Sequence, residues 1–278
     1  MSLLSTSSIP VCQQALLQAP LFERRRALVE KIPNFWPLVL EQAPPDIDQF
    51  IQPSDSTICA SFLKRIDVTR FEVPPAAPTG SKGDPRSVAI KFEFEENEWF
   101  EDTVLEKKFW YRRALDGWTG LVSEPIKIRW KKGKDLTQGL TDAAYAAWKA
   151  EQGASATSNG RKDTKRLPEQ EAVIQKMEKV SEGSMSFFSW FGYRGRHITA
   201  EESTAANAKE KERREKAKQG EKEAPEAEEE DALKEEAIET EMRMEIFPPG
   251  EDLAMAISED LFPGALKYFS KYQVSELL

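Results

Sequence analysis

The chain has 278 residues, of which 40% are hydrophobic and 31% charged, and its formal net charge is −9. This balance predicts a folded region joined to a highly charged, poorly folded one, and it favours a basic partner over direct binding of nucleic acid. Cys12 and Cys59 are the only cysteines and His197 is the only histidine, which excludes a structural zinc site and a disulfide framework.

Motifs for enzymatic chemistry are also missing. The sequence contains no GxxxxGK[ST], GxGxxG or GxSxG pattern, and a histidine-based triad or metal site would rest on His197 alone, in a polar, glycine-containing stretch. No apolar run is long enough to span a bilayer, and the first residues lack the charged start of a signal peptide. We therefore expect no enzyme, no catalytic residue, no metal and no cofactor.

The first third of the chain predicts helices. Pro20 suits a first helical position, so residues 21–31 (LFERRRALVEK) predict a short helix of about 17 Å. Ile32-Pro33-Asn34 should end it, because a proline disfavours helical geometry in the residue before it. A second helix is expected over about residues 34–42, and residues 58–66 predict a helix or a helix that runs into a strand.

Four strands are expected next, in an antiparallel meander. Alternating apolar residues predict strands at residues 67–73, 88–94, 106–113 and 126–131, with the clearest period of two at Val88, Ile90, Phe92 and Phe94. Helices are then expected from Thr141 to Trp148 and from Pro168 to about Val180. A short apolar helix at residues 185–191 must be buried.

Residues 192–250 form a charged region. Positions 209–218 carry six bases and three acids, a net charge of +3, and positions 221–245 carry twelve acids and three bases, a net charge of −9. This composition is typical of a solvated helix or of disorder. Its acidic run could be a counterion for a basic partner or a solubilising linker, and the sequence does not decide between them. That run comprises Glu226, Glu228, Glu229, Glu230 and Asp231.

The stretch KFEFEENEWFED, residues 91–102, places acids beside large aromatic rings. A strand end that projects carboxylates would attract protein rich in lysine and arginine. The alternative is the solvated outer face of an ordinary strand, and periodicity alone favours that alternative.

Six segments in order resemble the nucleosome assembly protein (NAP) family of histone chaperones, in the branch of SET, also called template-activating factor. The segments are Lys31–Trp36 (KIPNFW), Asp67–Glu72 (DVTRFE), Phe92–Phe100 (FEFEENEWF), Ile126–Thr137 (IKIRWKKGKDLT), Ser186–Phe191 (SFFSWF) and Glu259–Phe269 (EDLFPGALKYF).

The resemblance implies an α+β fold, in which a dimerisation helix precedes an earmuff domain with a four-stranded antiparallel sheet backed by helices. We expect a shortened helix segment at residues 1–31, the earmuff domain at 32–191, a charged and partly disordered insertion at 192–250, and completing helices at 251–278. The family's homodimer is an uncertain expectation here, because only a short helix is predicted before the IPNFW break. Either the helix has been lost or coding sequence is missing upstream.

The resemblance also implies a nuclear protein that binds core histones, of either histone pair, through acidic surface. The implied histone-binding residues are Glu93, Glu95, Glu96, Glu98, Glu101, Asp102, Asp135, Glu259 and Asp260. A competing hypothesis is a scaffold or regulatory subunit for a histone acetyltransferase, or an interaction protein that inhibits a phosphatase.

Overall fold

The structure, a computed structural model, describes residues 8–73, 83–157, 167–180, 185–218 and 238–275. Four helices come first, then four strands, then the remaining helices. Among the described residues, no helix combines the length and apolarity needed to cross a bilayer. The helices are α1 Ser8–Val29, α2 Phe35–Glu41, α3 Pro45–Asp48, α4 Pro53–Phe62, α5 Leu140–Thr157, α6 Pro168–Met177, α7 Ala200–Lys218, α8 at 238–244, α9 Gly250–Ala256, which continues as a π-helix over Ile257–Leu261, and α10 Ala265–Ser275.

Helix α1 is twice as long as expected. It begins at Ser8 and continues through Pro20, so the predicted start at Pro20 is wrong, and the helix spans about 33 Å rather than about 17 Å. An interior proline costs about 3 kcal/mol, because it removes one backbone hydrogen bond and crowds the preceding turn. The second half of α1 is anchored by buried Val29 and by Phe22, whose ring meets that of Phe262 at 5.0 Å.

The sheet is a four-stranded antiparallel meander in the order β1-β2-β3-β4, as the resemblance implied. Its strands are β1 Leu63–Thr69, β2 Val88–Phe94, β3 Val104–Arg113 and β4 Thr119–Ser123.

Two strand predictions are wrong. The first strand begins and ends four residues earlier than the predicted 67–73, because α4 passes directly into it at Leu63 and it ends at Thr69. The fourth strand is Thr119–Ser123 rather than residues 126–131, which make a single bridge between Phe100 and Trp130. The alternation of Ile126, Ile128 and Trp130 reflects packing beside the β2–β3 connection.

The core forms where the inner face of the sheet meets a short 3-10 helix, Phe187–Gly192, which we call the aromatic helix. The ring of Phe92 lies 5.7 Å from that of Phe187 and 6.1 Å from that of Trp190, and Phe109 stacks on Trp190 at 5.3 Å. Burial of each large ring contributes about 2–3 kcal/mol. The predicted burial of this apolar helix is confirmed.

Two buried charged side chains attach the aromatic helix to the rest of the fold. Asp55 at the start of α4 accepts hydrogen bonds from the hydroxyl of Ser186 at 2.6 Å and from the backbone N–H of Phe187 at 2.7 Å. Lys107 on β3 is fully buried, and its ammonium donates to the carbonyls of Glu124, Phe191 and Tyr193 at 2.8–3.1 Å. Burial lowers the pKa of Lys107 to about 7, against the negative charges of Glu245 and Glu124.

One peptide group lies between a buried positive charge and a partly buried negative one. Its carbonyl, from Tyr193, accepts from Lys107, and its N–H, from Arg194, donates to Glu245 at 2.9 Å. Glu245 also accepts from the N–H groups of Gly195 and Phe247, and burial raises the pKa of Glu245. The two ends of the charged insertion are thereby held together on the domain.

Replacement of Lys107 tests this clamp. Lys107→Met should lower the free energy of unfolding by about 3 kcal/mol, because the carbonyls of Glu124 and Tyr193 lose their buried donor. Lys108→Met is the matched control, since its side chain is 46% exposed, and it should stay within about 0.5 kcal/mol. Urea unfolding followed by tryptophan fluorescence measures both variants, and equal midpoints would show that the clamp contributes nothing.

Candidate functional site

The connection between β2 and β3, residues 95–102, forms a rigid turn that we call the acidic turn. Buried Asn97 organises it, because its side-chain oxygen accepts the N–H groups of Trp99 and Phe100 at 2.9 and 3.0 Å, and its amide nitrogen donates to the carbonyl of Glu95 at 3.1 Å. Phe100 turns inward onto Phe94 and Phe188. The acids between these anchors are consequently directed outward.

A second segment, residues 126–135, fixes the acidic turn from the side. The N–H of Glu101 donates to the carbonyl of Arg129 at 2.9 Å, and the N–H of Lys131 donates to the carbonyl of Trp99 at 2.8 Å. The ammonium of Lys131 also donates to the carbonyl of Asn97 at 2.6 Å. This backbone pairing means that the acids need little ordering when they meet a partner.

The acidic side chains of the turn differ in their exposure and in their ion pairs. Glu95 and Glu96 are exposed and form no ion pair among the described residues. The carboxylates of Glu98 and Glu101 are 66% and 60% exposed and meet Lys134 and Arg129 at 3.0 and 3.7 Å. Four carboxylates are therefore displayed together on one turn.

Asp102 has a structural role instead. It is only 15% exposed, and it accepts both the backbone N–H and the Nε of Arg129, at 2.7 and 2.8 Å. Asp135 likewise accepts the N–H and hydroxyl of Thr137 at 2.8 and 2.7 Å, and the N–H of Gly139 at 2.7 Å. These two predicted binding residues hold the backbone of the second segment in place.

Glu93 lies on the outer face of β2 and is paired there. It forms ion pairs with Arg65 and, at 3.5 Å, with Lys91. Partial burial disfavours its charge, but the hydrogen bond and charge of Arg65 prevail and lower the pKa of Glu93. On this face Asp67, Glu93 and Glu106 balance Arg65, Lys91 and Lys108, and Arg112 of β3 meets Glu72 at 3.6 Å. The charges of this face are therefore largely paired.

Glu259 and Asp260 are at the other end of the sheet. Glu259 meets Arg70, just beyond the end of β1, at 3.4 Å, whereas Glu95 follows Phe94, the partner of Leu63 at the start of β1. Seven strand residues separate the two ends by about 20 Å. The structure thus does not unite the predicted acids into one patch.

Asp46 on α3 joins this distant group, and the sequence analysis missed it. Asp260 accepts the hydroxyl of Tyr268 at 2.6 Å. Burial raises the pKa of Tyr268 to about 12, together with that hydrogen bond and the negative charges of Asp260 and Asp46. The acidic start of α3 was a detectable signal, but only tertiary packing brings its charge near Tyr268, the partner of Asp260.

The acidic run at residues 226–231 lies outside the described residues. Within the ranges that the structure describes, no group of three or more histidine, cysteine or acidic side chains is arranged to hold a metal ion.

Stability measurements can separate structural acids from displayed ones. Asp135→Ala should lower the free energy of unfolding by about 1–2 kcal/mol, because two backbone N–H groups lose their acceptor. Glu96→Ala, on the exposed part of the turn, should change it by less than about 0.5 kcal/mol. Chemical denaturation of both variants gives the comparison, and a neutral Asp135→Ala would place Asp135 among the displayed acids.

Comparison with known proteins adds an independent result. Residues 18–272 match the family described as "Nucleosome assembly protein (NAP)". A putative nucleosome assembly protein of Schizosaccharomyces pombe is 37% identical over 134 residues, 45% of this chain and 50% of that protein. Protein SET of Drosophila melanogaster is 32% identical over 134 residues, 46% of this chain and 44% of that protein. The chain thus spans about half the length of these relatives.

Solved structures resemble the whole chain more evenly. The crystal structure of Ccp1 matches with a TM-score of 0.52 at 25% identity, over 96% of this chain and 88% of that one. The crystal structure of Vps75 has a TM-score of 0.55 at 21% identity, over 96% and 91%, and it supports the fold alone. On the extent of the family match, the chain belongs to the nucleosome assembly protein family.

Proposed function

We propose that this protein is a histone chaperone that binds core histones through the acidic turn. The observation that carries the proposal is the display of Glu95, Glu96, Glu98 and Glu101 on a backbone held by Asn97 and by residues 126–135. Family membership supports the same activity. Asp102 and Asp135 act by holding backbone beside the turn, Glu93 is paired on the outer face of the sheet, and Glu259 and Asp260 form a separate, second acidic group.

The mechanism needs no covalent step. Exposed carboxylates attract the lysines and arginines of histones and keep them from indiscriminate contact with DNA phosphates. DNA then takes over the histones because its denser charge releases more counterions on binding. Exposed charges are screened over about 8 Å at physiological ionic strength, so affinity should fall as salt rises.

A protein that binds core histones and assembles nucleosomes acts in the nucleus, so the proposal includes a nuclear location. A role as scaffold for a histone acetyltransferase, or as an inhibitor of a phosphatase, would use the same folded surface without requiring histone capture. A direct measurement of histone affinity therefore distinguishes these roles from that of a histone chaperone.

Neutralising the turn should reduce histone affinity. A variant with Glu95→Gln, Glu96→Gln, Glu98→Gln and Glu101→Gln should bind core histones roughly tenfold more weakly and with a shallower salt dependence, since several exposed ion pairs are lost. Fluorescence titration with refolded histone pairs at several salt concentrations gives both quantities.

The matched control makes the same change of charge elsewhere. Its substitutions are Glu169→Gln, Glu178→Gln, Glu201→Gln and Glu215→Gln, all at exposed positions on α6, at its C-terminal end or on α7, and its affinity should stay within about twofold of the wild type. If both variants bound equally, the total charge and not the turn would govern binding. If neither variant lost affinity, the scaffold hypothesis would gain support.

Self-association is a second proposal, and it rests on an exposed face of α1. Leu17, Leu21 and Leu28 share this face at helical spacing and are 74%, 59% and 64% exposed. Such a leucine stripe is suited to packing against a second helix. The 22-residue length of α1 removes the sequence-based reason for doubting a homodimer.

Replacing two leucines of the α1 stripe by glutamate should dissociate the dimer. We expect the wild type to have twice the chain mass by multi-angle light scattering at micromolar concentration, and Leu21→Glu with Leu28→Glu to have the mass of one chain, since a buried unpaired carboxylate opposes packing. Leu266→Glu, on exposed α10, is the control and should remain dimeric. A monomeric wild type would refute the proposal.

A further inference from the structure

The two edge strands of the sheet, β1 and β4, differ in whether their outward backbone groups have hydrogen-bond partners. The outer edge of β4 is covered, because the N–H of Ser123 donates to the carbonyl of Arg194 at 2.7 Å and the N–H of Leu121 donates to the carboxylate of Glu251 at 2.9 Å. The carbonyl of Leu121 also accepts the hydroxyl of Tyr193 at 3.2 Å. These partners leave β4 no room for another strand.

Within the ranges that the structure describes, the outer edge of β1 beyond Leu63 has no such hydrogen-bonded cover. Every second residue of an edge strand directs its N–H and C=O away from the sheet. Among the described residues, the N–H of Leu63 donates to the carbonyl of Cys59 at the end of α4, and the backbone of residues 64–69 makes no hydrogen bond other than those to β2. Unmet backbone groups of this kind are the feature that an added strand from a partner satisfies.

A groove runs beside the last part of this edge. It lies between α1 and β1, its volume is about 660 Å³, and its lining includes Ala15, Ala19 and Phe22 from α1, Val68 and Thr69 from β1, and Phe262 from the floor. Ligand sites in proteins commonly have 300–1,000 Å³. The groove is therefore large enough for a few residues of extended chain.

The charges at the groove favour a basic occupant. Exposed Glu23 on α1 and Glu259 on the opposite wall both line it, and Glu23 forms no ion pair among the described residues. The cation that lines the groove, Arg70, is already engaged by the carbonyl of Arg86 at 3.0 Å and by Glu259. Glu23 and the Arg70-paired Glu259 thus face a space whose remaining walls combine apolar side chains with the uncharged polar ones of Gln14, Gln18, Thr69 and Ser258.

From these observations we infer that β1 accepts an extended peptide as a fifth strand, in the groove beneath α1. The occupant is a basic segment of a partner protein, with apolar side chains toward Val68, Ala19 and Phe262 and lysine or arginine side chains toward Glu23 and Glu259. Backbone hydrogen bonds to β1 provide affinity, and the alternate side chains provide selectivity. This site lies at the end of the sheet opposite the acidic turn, so it does not depend on histone binding there.

The test uses the full chain and a defined probe. The probe is an acetylated, amidated peptide of eight residues in which lysine and valine alternate, followed by fluorescence anisotropy. The same peptide N-methylated along its central residues keeps the charge but cannot form strand hydrogen bonds, and it should bind at least about tenfold more weakly. Hydrogen exchange should show that the unmethylated peptide increases the protection of β1 amides.

Variants locate the peptide. Ala19→Trp fills the groove and should abolish binding, whereas Ala27→Trp, exposed on the same helix and outside the groove, should leave it unchanged. Glu23→Gln with Glu259→Gln should weaken binding severalfold, since exposed ion pairs are lost. The four-glutamine variant of the acidic turn should bind the peptide as the wild type does, which separates this proposal from the proposed function.

Three results would overturn the inference. Equal binding of the N-methylated peptide would mean that charge alone attracts it. Unchanged binding by Ala19→Trp would place the peptide elsewhere. Failure of the wild type to bind, together with a change of mass on Ala19→Trp in light scattering, would identify a second copy of the chain as the occupant.

Discussion

The fold depends on the contact between the inner face of the sheet and the aromatic helix. Phe92 and Phe109 meet Phe187 and Trp190 there, while buried Lys107 binds three carbonyls around the same helix. Ring burial provides most of the free energy, because it removes large apolar areas from water. The lysine adds a directional constraint, since its three N–H donors are satisfied by carbonyls at the aromatic helix and at Glu124.

This contact positions both candidate surfaces. Phe94, Phe100 and Trp130 continue the ring cluster on Phe188 to the base of the acidic turn. The turn therefore rests on rigid core, and its exposed acids have a defined arrangement. At the other end, Phe262 packs on Phe22 and Trp36 and forms the floor of the groove beneath α1. A single core thereby supports an acidic surface and an open strand edge.

Ion pairing, and not composition alone, decides which acidic side chains are available to a basic partner. On the outer face of the sheet, Arg65 and Lys91 neutralise Asp67 and Glu93, so this face does not attract a basic partner. Asp102 and Asp135 use their carboxylates to hold backbone and arginine. Of the predicted acids between residues 93 and 135, Glu95 and Glu96 remain exposed without an ion pair among the described residues, and Glu98 and Glu101 stay 66% and 60% exposed despite their pairs. In helix α7 the same principle applies, because Glu210 pairs with Arg213 and Arg214.

Much of the fold could be predicted from the sequence, because local periodicity indicates individual helices and strands and the order of the motifs indicates the family. Alternation identified β2, the Ile32-Pro33-Asn34 break separated α1 from α2, and the apolar stretch at 185–191 required burial. The resemblance carried by six segments led to the family and to a four-stranded antiparallel sheet. The density of acids at residues 93–102 marked the candidate surface. All of these signals lie in short windows, where backbone geometry and side-chain polarity act directly.

Tertiary structure decided the rest. Alternation at residues 126–131 indicated a strand, but those backbone groups pair with the acidic turn, and β4 lies earlier. Pro20 indicated a helix start, but α1 continues through it. Which acids are displayed, and which support the backbone, depended on the positions of Arg65, Arg129 and Thr137. Whether an acidic side chain is free or paired depends on neighbours that are distant in sequence. Composition alone therefore identified the acidic region, but not which of its acids stay exposed for a partner.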